Sequence, residues 1–161
     1  MQRTALISGA VIAALATGGI LAVSGGAQGP TGQTIQFTEK TSSEKFVDVA
    51  PRARRDFDAS AGDEFLFSNR LFNGANKRIG TLDVRCAFTK GGRTFRGVCQ
   101  GVFALEDGDL HASARLTTGN STNGAITGGT RAYAGARGTF RTVDPGEGSN
   151  EDPRTTITLL P

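Results

Sequence analysis

The sequence has 161 residues, which is long enough for one domain with a substantial hydrophobic core. Its 23 glycines, its lack of tryptophan and its short, scattered runs of strand-forming residues indicate an all-β domain. A formal net charge of +3 is too small to indicate binding to nucleic acid, and two cysteines with one histidine are too few ligands for a metal site.

The first 27 residues have the pattern of a secretory signal peptide. Arg3 supplies the positive charge, residues 5–23 are uncharged and mostly apolar, and small residues follow at 25–27. An uncleaved anchor helix is the alternative, because the apolar stretch approaches the length that spans a membrane. The many small residues and the missing aromatic flanks favour cleavage. We therefore expect a secreted protein, with its domain at residues 28–161 and no membrane span after cleavage.

Short strand patterns follow along the domain, separated by turns rich in glycine, asparagine and aspartate. Tight turns predict an antiparallel meander, and closing the meander into a barrel would remove its edges. The glycine-rich stretch at 125–140 is interpreted as a sharp corner between two strands, since the Lys-Ser/Thr ending of a phosphate-binding loop is missing. The predicted strands are 34–39, 46–49, 63–72, 77–89, 95–105, 110–118, 125–128, 137–143 and 154–160.

The two cysteines are predicted to form a cross-strand disulfide. If a four-residue turn places Lys90 opposite Phe95, then Cys86 lies directly opposite Cys99, within reach of a disulfide bond. An even number of cysteines in an exported chain also favours a disulfide.

One continuous apolar face is predicted across four strands. Pairing Phe72 with Lys77 and Leu105 with Leu110 at the neighbouring turns brings large and small apolar residues onto this face. Such a mixture either fills a tapering barrel or leaves a cavity for a small apolar ligand, and the sequence does not decide between the two. The face carries Phe65, Phe67, Leu82, Val84, Cys86, Phe88, Gly97, Gly101, Phe103, Ala112 and Ala114.

Two polar residues share the inner face and are the candidate catalytic residues, Asn69 and Glu39. A buried carboxylate has a raised pKa, and beside an amide it could orient a ligand, move a proton or stabilise a developing charge. The alternative is that Glu39 is solvated at a strand end and that Asn69 bonds locally near its turn. The expected ligand-binding walls are Phe37, Phe65, Phe67 and Phe103.

Several segments resemble the allene oxide cyclase and dirigent superfamily. AITGGTRAYAGARGTF, residues 125–140, is similar to the family's Ile-Thr-Gly-Gly-(Thr/Ser)-Gly-x-(Tyr/Phe)-x-Gly-Ala-x-Gly segment, with Arg131 at a family glycine. GDEFLFSNRLFNGANKRIGTLDVRCAF, residues 62–88, resembles the Gly-Asp-x-x-x-Phe-(Thr/Ser)-Asn strand and the strand after it. CQGVFALEDGDL and KFVDVA, residues 99–110 and 45–50, extend the resemblance over most of the mature chain, which looks most like exported bacterial dirigent-like proteins.

The resemblance implies an eight-stranded antiparallel barrel of the calycin-like, allene oxide cyclase type, with an apolar cavity and often a homotrimeric assembly. Plant allene oxide cyclases isomerise an unsaturated fatty-acid epoxide, plant dirigent proteins steer radical or quinone-methide coupling, and neither uses a cofactor. The cyclases' pocket asparagine matches Asn69, their pocket cysteine matches Cys86, and their first-strand glutamate matches Glu39.

The residues and the resemblance together predict an exported barrel that binds a small hydrophobic molecule and guides its cyclisation or coupling, without a cofactor. Two alternatives use the same fold. One is a non-catalytic carrier of apolar ligands, and the other is a structural protein of the cell envelope with a filled barrel.

Overall fold

The computed structural model describes residues 32–49, 59–146 and 148–161, so the predicted signal peptide and the start of the domain lie outside the described residues. Consecutive strands pair antiparallel, and the last strand returns to pair with the first, which closes the barrel. The predicted all-β, eight-stranded antiparallel barrel is confirmed. The strands are β1 (Thr34–Val47), β2 (Glu64–Phe72), β3 (Arg78–Lys90), β4 (Arg96–Leu105), β5 (Gly108–Thr117), β6 (Ser121–Gly129), β7 (Gly138–Val143) and β8 (Arg154–Leu159).

β1 is one long strand where the sequence predicted two, at 34–39 and 46–49. The polar residues 40–45 break the apolar alternation, and for that reason they were not predicted as a strand. Their backbone nevertheless stays paired with β2, and a bulge at Ser42 absorbs the one residue by which the register shifts. The prediction of a separate second strand was therefore wrong.

The pairing of Cys86 with Cys99 across β3 and β4 is confirmed, and the two residues form a disulfide. The pair predicted at the turn itself was wrong. Lys90 pairs with Arg96 instead of Phe95, because an irregularity between Phe88 and Lys90 takes up the difference without moving the cysteines.

The register between β4 and β5 differs by two residues from the predicted one. Leu105 pairs with Gly108 rather than Leu110, so only two residues form the turn. Gly108 has φ +151°, and a Cβ there would lie 2.3 Å from the carbonyl oxygen of Thr130, so only glycine fits. Because side chains alternate with a period of two, Ala112 and Ala114 keep their predicted inward direction.

The register between β2 and β3 is shifted in the same way. Lys77 belongs to the turn, where its N–H bonds to the side chain of Asn73, and Phe72 pairs with Arg78. Asn69 consequently lies opposite Leu82 rather than Gly80. Phe72 itself is shifted by one residue, and the irregularity between Leu71 and Phe72 makes the shift two for the rest of the strand, so the inner face is unchanged.

The core fills one end of the barrel, where the start of β1 meets the end of β8. The corner between β6 and β7 contains a short 3-10 turn, and its Tyr133 is buried against this end. Gly129 permits the close contact, since a Cβ there would lie 2.4 Å from the Tyr133 carbonyl oxygen. The buried core residues are Phe37, Leu71, Leu82, Phe103, Leu105, Leu110, Ala112, Ile126, Tyr133, Ala136, Ile157 and Leu159.

Candidate functional site

Glu39 is a carboxylate buried inside the barrel. It follows Ile35 and Phe37 on the inward face of β1, pairs with Leu71 of β2, and is only 4% exposed. The solvated strand end considered from the sequence is therefore wrong, because β1 continues past Glu39 and keeps it within the wall.

Three polar side chains from different strands form a hydrogen-bond network around Glu39. Asn69 of β2 donates from Nδ2 to Oε2 at 2.8 Å, and Thr155 of β8 donates from Oγ1 to Oε1 at 2.5 Å. A hydroxyl has only one hydrogen, so the Thr142 hydroxyl of β7, 2.5 Å from that of Thr155, acts as the donor to it. The Glu39 carboxyl group thus accepts hydrogen bonds from both sides.

Burial raises the pKa of Glu39 above its usual value, because the charged form loses its hydration. The hydrogen bonds from Thr155 and Asn69 favour the charged form and offset part of this rise. Such a carboxyl can exchange a proton with a bound molecule at a pH closer to neutrality than an exposed glutamate can.

The side-chain amide of Asn69 has a hydrogen-bonded Nδ2 group and an Oδ1 atom without a partner among the described residues. The residue is 7% exposed, and its Nδ2 group is used by Glu39. Its Oδ1 atom is buried and has no hydrogen-bond partner among the residues that the structure describes. A buried acceptor in this condition typically costs about 1–3 kcal/mol, so a partner for it would be favourable.

An inner cavity of about 110 Å³ lies beside Glu39. Its wall is mostly apolar, and small residues on β4 and β5 face aromatic rings, so the described part of the barrel is not completely filled. The disulfide forms part of the wall. The lining residues are Glu39, Phe67, Leu82, Val84, Cys86, Cys99, Gly101, Phe103, Ala112, Ala114, Leu116, Thr122, Phe140 and Thr142.

A mouth cavity of about 300 Å³ adjoins the inner cavity at the end of the barrel away from Tyr133. The two cavities share five lining residues, including Glu39, Phe67 and Thr142, so Glu39 lies where they meet. The mouth cavity is lined by Glu39, Thr41, Glu44, Phe65, Phe67, Asn69, Phe95, Leu116, Thr117, Gly119, Asn120, Ser121, Thr122, Thr142, Asp144 and Pro153.

The four phenylalanines expected as ligand-binding walls occupy different depths. Phe65 lines the mouth cavity, Phe67 lines both cavities and Phe103 lines the inner one. Phe37 lies in the core and packs on Phe103, with ring centroids 5.7 Å apart, and is not among the residues that line either cavity. The structure thus brings three of the four rings to the site.

Sequence reasoning did not identify Thr142, Thr155 or Phe140 as site residues. Thr155 alternates with Ile157 and Leu159 on β8, which was a usable signal that its hydroxyl points inward. Its partner could not be found in the same way, because Glu39 lies 116 residues away and the contact depends on barrel closure.

Asp63 is a second buried carboxylate, at the start of β2 and outside both cavities. It accepts hydrogen bonds from the N–H groups of Val49 and Ser60 and from the Ser60 hydroxyl. Its burial favours a higher pKa, but these bonds outweigh that effect and hold the pKa of Asp63 below its usual value. Asp63 therefore fixes the two ends of the β1–β2 connection.

Within residues 32–49, 59–146 and 148–161, no cluster of three or more histidine, cysteine, aspartate or glutamate side chains could hold a metal ion. In the same ranges, no helix has the length and apolar character needed to cross a membrane.

No protein-family model and no curated protein matches the sequence. Solved structures do match. Pyocyanin demethylase has a TM-score of 0.68 at 22% identity, over 80% of this chain and 100% of that one. An exo-specific intermolecular Diels-Alderase has a TM-score of 0.61 at 15% identity, over 81% and 98%. A pterocarpan synthase dirigent protein has a TM-score of 0.61 at 15% identity, over 82% and 95%.

These matches show that the chain has a barrel fold shared with dirigent proteins and Diels-Alderases. The shared fold agrees with the barrel that the resemblance of the sequence to dirigent proteins implied. At these identities the likeness concerns the fold alone. The chemistry has to be argued from the residues inside this barrel.

Proposed function

We propose that this chain is an exported, dirigent-like barrel that binds a small hydrophobic metabolite and guides its cyclisation or coupling without a cofactor. The observation that carries the proposal is the position of Glu39. It is a buried carboxylate held by two donors at the junction of an apolar inner cavity and a more open mouth.

The two cavities have to act together. The inner cavity is smaller than the roughly 300–1,000 Å³ of common small-molecule sites, whereas the mouth cavity reaches that range. A ligand would place an apolar part between Phe67 and Phe103 and extend into the mouth past Glu39. Holding a flexible molecule in one folded shape is itself a large contribution to a ring-forming reaction, since its entropy is lost on binding rather than in the transition state.

Glu39 would supply the chemistry. Its raised pKa suits it to take a proton from the bound molecule or return one, and its ionised form would stabilise positive charge that develops on the reacting carbon framework. Asn69 would orient the ligand, while Thr155 keeps the carboxylate facing the cavity junction.

Ligand binding is tested by displacing a fluorescent apolar probe from the purified mature domain with a panel of fatty acids, phenolics and polyenes. Saturable, selective displacement is expected. Ala112→Leu should weaken it by about tenfold or more by filling the inner cavity, whereas Ala87→Leu, on the exposed outer face of β3, should leave it unchanged. Equal effects of the two variants would contradict binding at this place.

The variant Glu39→Gln distinguishes an enzyme from a non-catalytic carrier of apolar ligands. If the barrel is an enzyme, turnover of a bound ligand falls sharply while its binding persists. Retained turnover would remove Glu39 from the mechanism, and binding with no turnover in the wild type would identify a carrier. A stable barrel that takes up no ligand would support the envelope-interaction alternative.

Export and a homotrimeric assembly belong to the same proposal. The disulfide supports export, because such bonds persist in oxidising compartments. N-terminal sequencing of the secreted protein is expected to show cleavage near residue 27, and native mass measurement is expected to give three chains. A full-length, cell-retained chain would contradict export, and a monomer would contradict the trimer.

A further inference from the structure

We infer that the site selects ligands whose head group is uncharged or cationic and carries an O–H or N–H donor, and that it rejects carboxylates. This inference rests on the proposed function and names the ligand class that the two cavities take.

The first observation is the unpaired acceptor of Asn69. The side chain lines the mouth cavity, its Nδ2 is committed to Glu39, and its buried Oδ1 has no partner among the described residues. While Glu39 is ionised, turning the amide around would not help, because Oδ1 would then face a carboxylate that has no hydrogen to donate. The described residues leave no donor for this atom, so a donor on a bound molecule would satisfy it.

The second observation is the charge of the lining. The ionisable side chains that line the two cavities are Glu39, Glu44 and Asp144, and no lysine, arginine or histidine is among the described lining residues. A carboxylate ligand would bring a further negative charge next to Glu39 in a poorly hydrated space and would find no cation among the described lining residues to pair with. An uncharged donor meets no such opposition, and a cationic one would be attracted.

The two observations place the ligand in one orientation. The donor end lies at Asn69, next to Glu39, and the apolar body enters the inner cavity past Phe67. The donor proton is then close to the carboxylate that the proposed function uses to move protons. Recognition and proton transfer would share the same end of the ligand.

Three compounds with one skeleton test the inference: 2-naphthylmethanol, its methyl ether and 2-naphthoate. Each is titrated against the same fluorescent apolar probe at pH 7. The alcohol is expected to bind about tenfold or more tightly than the ether, since loss of the donor leaves Oδ1 unpaired, and the carboxylate is expected to bind most weakly. Equal binding of alcohol and ether, or preferred binding of the carboxylate, would overturn the inference while the binding proposal stands.

Asn69→Leu is expected to bring the alcohol and the ether to nearly equal affinity, because the unpaired acceptor is gone. Asn123→Leu, at an exposed position on the outer face of β6, is the matched control and should keep the preference. If the preference survives in Asn69→Leu, the donor is recognised elsewhere and the inference fails. If Asn69→Leu does not fold, the three compounds on the wild type still decide. Failure of all three to displace the probe would overturn the proposed function as well.

Discussion

At the level of single residues, Glu39 makes the stability of the barrel depend on pH. Its pKa is raised in the native state, so the native barrel binds this proton more tightly than the unfolded chain does. The stability it contributes is therefore full below its unfolded pKa of about 4.3 and is lost as the pH rises through its native pKa. At neutral pH, which is above the unfolded pKa, the raised native pKa of Glu39 therefore lowers the stability of the barrel.

Glu39→Gln should consequently stabilise the protein at pH 7. Glutamine keeps the shape and the hydrogen bond from Thr155 but buries no charge. We expect the melting temperature to rise by about 2 °C or more, with the gain shrinking towards pH 4, where wild-type Glu39 is protonated as well. Scanning calorimetry across this range measures it. Glu44→Gln, at an exposed position, should change little, and a lower melting temperature for Glu39→Gln at pH 7 would show that its ionised form is stabilising.

Thr155→Val should raise the pKa of Glu39 further. Valine has the same shape but cannot donate to Oε1, so the charged form loses one of the two bonds that favour it. A ¹³C NMR titration of the side-chain carboxyl follows the change directly. Thr158→Val, on the outer face of β8, serves as the control. An unchanged titration in Thr155→Val would mean that the hydroxyl does not support the carboxylate.

At the level of single elements, the disulfide of the β3–β4 hairpin should contribute measurably to stability. The disulfide closes a separation of 13 residues and lines the inner cavity. Replacing both cysteines, as Cys86→Ala with Cys99→Ala, should lower the free energy of unfolding by about 3 kcal/mol. Urea unfolding with and without reductant measures this, since reductant should weaken the wild type and leave the double variant unaffected. Reductant-insensitive unfolding of the wild type would contradict a stabilising disulfide.

The β1–β2 connection depends on the charge of Asp63. Its lowered pKa means that its contribution is full above the unfolded pKa of about 3.9 and is lost as the pH falls through the native pKa. Asp63→Asn turns one acceptor into a donor facing N–H groups, and we expect the melting temperature at pH 7 to fall by roughly 3–8 °C. The difference from wild type should narrow below about pH 4. Asp48→Asn is the exposed control, and a difference that is constant with pH would exclude the charge as the cause.

Over the whole molecule, the sequence predicted the features that repeat along the chain and missed those that depend on closure. The alternation of strands, their inner face and the Cys86–Cys99 pair follow from local periodicity and turn lengths. The registers between β4 and β5 and along most of β2 and β3 were wrong by two residues, because turn conformations depend on contacts such as that of Gly108 with Thr130. The period of two kept the same residues inside despite these errors.

The site was predictable to the same extent. Glu39 and Asn69 could be assigned to the inner face strand by strand, but their mutual bond and the one from Thr155 require strands β2 and β8 to flank β1. Arg131 shows a further limit. It stands at a glycine of the resembling family and adopts φ +50°, which no local preference of arginine indicates.

Closure of the barrel also brings the start of β1 and the end of β8 to the same end of the barrel. Thr34 at the start of β1 pairs with Thr158 near the end of β8, so both ends of the barrel's chain lie side by side at the end that the core fills, opposite the mouth cavity. A tether at either end, whether a leader segment, a fusion partner or a surface used to immobilise the protein, therefore holds the barrel by its base. The mouth cavity then lies at the end of the barrel away from the attachment point.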